Sequence, residues 1–169
     1  ALGLQGGLVV QIGATNTDDA AALSKTGRYI INVLDSDEAA VIRAQARLRQ
    51  GGNYGAVSVE GLPEPSLLPH SETLVNAIIV QRPGIPLEEI FRTLTPEGVL
   101  IVTAVASVSV KALQAKGFDS ISPGKDLVTA RKPKPANIDG WTHPRHGADG
   151  NAVSKDTVVG PPRRIRWVA

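Results

Sequence analysis

The chain has 169 residues and a mass of 17.7 kDa, long enough for one domain with a buried core and too short for a second full one. Hydrophobic residues at 42% and charged residues at 20% exclude a disordered or fibrous chain, and zero Cys removes disulfides, thiolate metal sites and a cysteine nucleophile. The net charge of +2 conceals a split: residues 1–130 hold ten Lys/Arg against thirteen Asp/Glu, whereas residues 131–169 hold eight against three.

Short β-branched runs alternate with helical patterns, the sign of a parallel sheet with helices on its faces. Gly7 to Gly13 reads as a buried first strand ending in glycine. Ala20 to Lys25 is a short helix opened by Thr17-Asp18-Asp19, whose side-chain oxygens can cap free N–H groups. Tyr29 to Leu34 is a second strand, stopping at Asp35-Ser36-Asp37. Ser36 is placed to cap an amphipathic helix from Glu38 to Gln50, with Val41, Ala44 and Leu48 inward and Arg43, Arg47 and Arg49 outward. Gly51-Gly52 ends it. Ala56 to Val59, Thr73 to Val80 and Gly98 to Val102 are the third, fourth and fifth strands. Pro86 to Leu94 forms a helix between the last two, with proline near the first turn where its missing donor costs nothing. Val110 to Lys116 is a helix, and Ser120-Ile121-Ser122 with Leu127 to Ala130 forms an antiparallel hairpin around Gly124-Lys125.

The run Arg131-Lys132-Pro133-Lys134-Pro135 interrupts any helix or central strand and marks a boundary. The expected organisation is a doubly wound, mostly parallel α/β domain over residues 1–131 and an extended, basic, Pro-rich arm over residues 132–169. Trp141, Ile138, Val153, Val158-Val159 and Ile165-Trp167-Val168 are too sparse for an independent core, so the arm reads as packing on something else. With no Met and Ala1 at its start, the chain reads as a piece of a longer protein, and missing targeting signals carry no weight.

Ligands of open doubly wound sheets bind beyond the carboxyl ends of the strands, where strand order reverses. The loop after the first strand, Gly13-Ala14-Thr15-Asn16-Thr17-Asp18, holds one glycine, and Asp18 and Asp19 stand where a pyrophosphate would lie, which argues against a dinucleotide. Asp35 can accept hydrogen bonds from vicinal ribose hydroxyls or, with Asp37, cap the next helix. Glu60 can reach an adenine amino group or, more simply, be a solvated loop charge. Gln81-Arg82-Pro83-Gly84 offers amide and guanidinium donors but no general base.

The succession Val10-Gln11-Ile12-Gly13, Val33-Leu34-Asp35-Ser36-Asp37, Val41 to Arg47 and Val59-Glu60-Gly61-Leu62-Pro63 resembles a class I S-adenosylmethionine-dependent methyltransferase. Leu74 to Val80, Glu89 to Val102 and Lys116-Gly117-Phe118 extend the likeness, which covers residues 7–131. It implies a Rossmann-like fold and, carried over residue by residue, a cofactor site at Gly13, Thr15, Thr17, Asp35 and Glu60. The family's Gly-x-Gly-x-Gly segment retains only its first glycine here, and Thr15 and Thr17 would crowd the methionine moiety. The stretch from Lys132 through Ile138-Asp139-Gly140-Trp141-Thr142-His143, then Gly150 to Arg164, is similar to the junction in planctomycete-type proteins that joins a methyltransferase-like domain to a pyrroloquinoline-quinone-type β-propeller. That likeness implies a propeller partner for residues 132–169 and an extracytoplasmic setting.

His143 and His146 could bind a metal with Asp139 or Asp149, but they flank a proline in a Gly-rich arm, and no metal is expected. Arg163-Arg164-Ile165-Arg166-Trp167 is too short a basic cluster for nucleic acid and reads as a docking strand. No Ser-His-Asp arrangement is readable. Two functions stand: a degenerate methyltransferase-like domain serving as a structural or interaction module beside a propeller, and an active S-adenosylmethionine-dependent methyltransferase.

Overall fold

A computed structural model describes residues 3–104, 106–140, 144–146 and 148–157. The chain divides into two units, Ala1–Pro133 and Lys134–Ala169. The first is an α/β domain built in the order β1 (Gly7–Ile12), α1 (Asp18–Ser24), β2 (Tyr29–Asp35), α2 (Glu38–Gln50), β3 (Val57–Gly61), β4 (Val75–Val80), α3 (Leu87–Thr93), β5 (Leu94–Thr103), α4 (Val110–Lys116), β6 (Asp119–Pro123) and β7 (Leu127–Arg131).

The seven strands form one sheet in the order β3-β2-β1-β4-β5-β7-β6. The first five are parallel, and β7 runs antiparallel to both β5 and β6. Apolar residues dominate the central strands because both faces are buried. Val10, Ile12, Leu34, Ile78, Val80, Leu100 and Val102 face one cluster with Ile90 and Leu113 of α3 and α4. Val9, Ile31, Val33, Val57, Val59, Ala77, Ile79 and Val99 face the other, with Ala20 of α1 and Val41, Ala44 and Leu48 of α2.

Local chemistry corrects several sequence expectations. Asp37, not Ser36, caps α2, its carboxylate accepting from the N–H groups of Ala39 and Ala40. A carboxylate is the better partner for the positive end of that helix. At α1 the Thr17 side chain makes no cap; Asn16 Oδ1 accepts from Asp18 N at 2.9 Å instead. β5 starts at Leu94 rather than Gly98, because Leu94 pairs with Val75 before a register irregularity that carries Pro96 and Glu97 (φ 62°). A bulge is where a strand tolerates proline.

Lys132, expected in the arm, is buried in the first unit. Its Nζ donates to the carbonyls of Phe91 and Leu94, both at 2.7 Å, and lies 4.9 Å from the Phe91 ring centroid. The ammonium thus satisfies carbonyls that the end of α3 leaves without helical donors.

No helix follows β3. The connecting loop is held by an ion pair on α3, in which Glu89 Oε1 accepts from Leu68 N (2.7 Å) and Arg92 Nη2 (2.6 Å), while Arg92 Nη2 also donates to His70 O (2.8 Å). The hydrogen bond from Arg92 lowers the Glu89 carboxyl below its ordinary 4.5, outweighing burial. Glu89→Gln should therefore cost about 2–3 kcal/mol, the scale of a hydrogen bond to a charged group. The wild-type contribution is full above pH 4.5 and lost as pH falls below it, so urea titrations of the two proteins should converge in acid.

The described part of the second unit is organised on one carboxylate. Asp139 accepts from Lys155 N and Gly140 N, each at 2.7 Å, and from His146 Nε2 at 2.5 Å. The backbone donors of Lys155 and Gly140, with the imidazole, pull Asp139 from 3.8 to about 2. Among the described residues no three His, Cys, Asp or Glu side chains converge on a metal position. His143, Trp141 and the cluster from Arg163 to Trp167 lie outside the described residues. The Lys155 and Gly140 amides should stay protected from hydrogen exchange at pH 4 and lose protection toward pH 2; Asp139→Ala should remove it at neutral pH.

Candidate functional site

Strand order reverses between β1 and β4, so the loops after β1, β2 and β4 meet at one end of the sheet. Gly13 leaves β1 with φ 112°, and a Cβ there would stand 3.2 Å from Gln81 Cβ and 3.5 Å from Arg82 Cβ. A side chain would be strained at that φ and would press on Gln81 by a few tenths of an ångström. Glycine is thus favoured here by the backbone conformation of the turn out of β1, with close packing against β4 adding to it.

Asp35 ends β2 with its side chain fully buried. One oxygen accepts from Ala14 N at 2.7 Å, and the other accepts from Asp37 N at 2.9 Å and pairs with the Arg82 guanidinium. Because β1 lies between β2 and β4, the Arg82 side chain crosses the exit of β1 to reach Asp35. Burial works to raise the Asp35 carboxyl, but the amides of Ala14 and Asp37 and then Arg82 outweigh it and hold it below 3.8.

Behind the loop stands Gln11, fully buried in β1, whose Nε2 donates to Gly13 O (2.8 Å) and Asn16 O (2.7 Å). Neither this glutamine nor the reach of Arg82 was singled out from the sequence. The available signal was an amide inside the otherwise apolar run Val9-Val10-Gln11-Ile12.

Thr17 is buried at the start of α1, and Thr15 is exposed at the mouth of the loop. Three hollows open at this end of the sheet. One of about 350 Å³ lies between the loop and α2, lined by Thr15, Thr17, Arg43 and Arg47. A second, about 500 Å³, is lined by Gly13, Thr15, Asp19, Arg82 and Thr103. A third, about 430 Å³, lies past β2 and β3, lined by Asp35, Ser36, Glu38, Gly61 and Leu62. Arg82 lines the second and Asp35 the third, so their ion pair stands between them.

Glu60 lies at the carboxyl end of β3 beside Leu34, but its side chain turns to Asn32. Its Oε1 accepts from Asn32 Nδ2 at 3.1 Å, on the sheet face shared with Ser58. Gly13, Thr15, Thr17 and Asp35 do gather at the strand ends.

No protein-family model matches the chain, and no curated protein matches it by sequence. Solved structures do. The cyclase SpnF superposes with a TM-score of 0.66 at 16% identity, covering 78% of each chain. An S-adenosylmethionine-dependent methyltransferase from Aquifex aeolicus gives 0.60 at 18% identity over 77% of this chain and 84% of its own. One from Methanosarcina mazei gives 0.60 at 13% identity over 78% and 95%.

Replacing Arg82 by Ala should raise the Asp35 carboxyl, read by carbon NMR titration, because the guanidinium is one of the groups that lower it. Asp35→Asn should cost about 2–3 kcal/mol in urea unfolding at neutral pH. That difference should shrink below pH 3.8, since a depressed carboxyl contributes stability only above that range. Strand order, the antiparallel terminal pair and the structural neighbours together give residues 1–133 the class I S-adenosylmethionine-dependent methyltransferase-like fold.

Proposed function

We propose that this domain is a degenerate relative of the methyltransferases, serving as a non-catalytic structural and interaction module of a larger propeller-containing protein. The observation that carries this reading is the Arg82–Asp35 ion pair across the exit of β1. A carboxylate at the end of β2 can take the ribose hydroxyls of a nucleoside only with oxygen lone pairs to offer. Here the side chain is fully buried and three of its roughly four lone-pair sites already accept, two on Oδ1 from Asp37 and Arg82 and one on Oδ2 from Ala14.

Three further features agree. Thr15 and Thr17 occupy positions where the methyltransferase pattern has glycine, and Thr17 is buried, so its side chain takes up space in the loop. Glu60, the candidate for an adenine contact, bonds to Asn32 on the sheet face. The Ala14 amide, a donor that a ligand at the loop could use, is given to Asp35. These features argue against a fit to S-adenosylmethionine at the strand ends. The propeller partner rests on the sequence of residues 132–169 and the extracytoplasmic setting on the same likeness.

The second reading, an active S-adenosylmethionine-dependent methyltransferase, is favoured by one observation: Asp35 and Gly13 stand together at the switch point of the sheet. Calorimetric titration of the full chain with S-adenosylmethionine and S-adenosylhomocysteine separates the two. The expected result is no heat of binding up to millimolar ligand. Micromolar binding that Asp35→Ala abolishes would establish the enzyme instead.

A further inference from the structure

The connection from β3 to β4 has no helix, and residues 62–74 serve in its place as a strap. Leu62 and Leu68 are the side chains it buries, and both belong to the apolar cluster of Ile90 and Leu94. The ends of the strap are tied by backbone: Leu62 N donates to Asp35 O at 2.8 Å, and Thr73 N and Leu74 N donate to the carbonyls of Arg92 and Thr93, each at 2.9 Å. Its middle is tied by side chains of α3, with Glu89 Oε1 on Leu68 N and Arg92 Nη2 on His70 O.

His70 stands in that middle. Its side chain is half-buried, and Nδ1 is buried with no hydrogen-bond partner among the described residues. A neutral imidazole tolerates this position, because Nδ1 can be a bare lone pair while Nε2 carries the proton. An imidazolium does not, because both nitrogens then carry N–H and one of them is buried with nothing to receive it. Two charged groups face the ring from the elements packed against it: Glu60 of β3 favours a positive charge there and Arg92 of α3 opposes one. Burial has the largest influence and, with Arg92, holds the imidazole below its ordinary 6.5 against the pull of Glu60.

We propose that residues 62–74 form an acid-released flap: a proton on the His70 ring drives it out of its seat, the middle of the strap leaves α3, and Leu68 is withdrawn from the core. The opening is local, since the ties at Leu62, Thr73 and Leu74 are backbone hydrogen bonds that do not titrate. A histidine depressed in the folded chain supports the closed strap fully above pH 6.5, and that support is lost as pH falls through its lowered value. Glu89 acts at a separate step, because its contribution is lost only below pH 4.5. The device does not depend on whether the strand ends hold a ligand.

The test is amide hydrogen exchange of the full chain followed by NMR between about pH 7.5 and about pH 5, each rate referred to the intrinsic rate at that pH. Protection of the Leu68 amide should fall at least about threefold over this range, the fold-change of about half a pKa unit, while the amides of Val10 and Ile78 in the central strands keep theirs. His70→Gln, polar and without a titrating ring, should abolish the fall. A direct NMR titration of the His70 ring needs no variant and should give a midpoint below 6.5. Unchanged Leu68 protection in the wild-type chain, the same fall in His70→Gln, a loss shared by Val10 and Ile78, or a ring midpoint at or above 6.5 would each overturn the proposal.

Discussion

The carboxylate of Asp35 is the tie on which the carboxyl end of the sheet depends. Through its two oxygens it holds the loop after β1 by Ala14 N, the turn into α2 by Asp37 N, and the exit of β4 by Arg82. Three loops that would otherwise hang separately from three strands share one buried charge. A buried carboxylate persists only when its lone pairs are met by donors, and these donors all come from the protein itself. Gln11 does the complementary work with its amide, donating to the carbonyls of Gly13 and Asn16 from inside β1. The loop after β1 is therefore fixed from both sides, by an acceptor at one end and a donor at the other.

The fold was legible because its signals are periodic and long. Apolar runs such as Val75 to Val80 and the 3.6-residue spacing of Val41, Ala44 and Leu48 report burial directly, and the helix of residues 38–50 matched residue for residue. What failed was decided by single side chains. Ser36 and Asp37 are equally good caps in sequence, and only the path of the chain out of β2 puts the Asp37 carboxylate over the amides of Ala39 and Ala40. Lys132 looked like part of a basic arm because the prolines after it are so conspicuous. Nothing local announces that its ammonium reaches back to carbonyls at residues 91 and 94. At the strand ends, residue types were readable and partners were not: Asp35 and Arg82 are 47 positions apart, and their pairing follows from strand order alone.

The same architecture carries structures named as a cyclase and as methyltransferases, so the sheet does not by itself choose a reaction. What chooses is whether the groups at the strand ends are left available. A ligand site keeps donors and acceptors unsatisfied, or weakly satisfied by water, and stability is sacrificed there in exchange for binding. Here Asp35 is spent on Ala14, Asp37 and Arg82 and the Gln11 amide nitrogen on the loop, while Gln11 Oε1 stays buried without a hydrogen-bond partner among the described residues. An acidic residue at the end of β2 is thus no evidence of nucleoside binding on its own, because the position serves equally well as a structural knot once an arginine from β4 can reach it. The discriminating quantity is not which residue stands there but how many of its lone pairs the protein has already used.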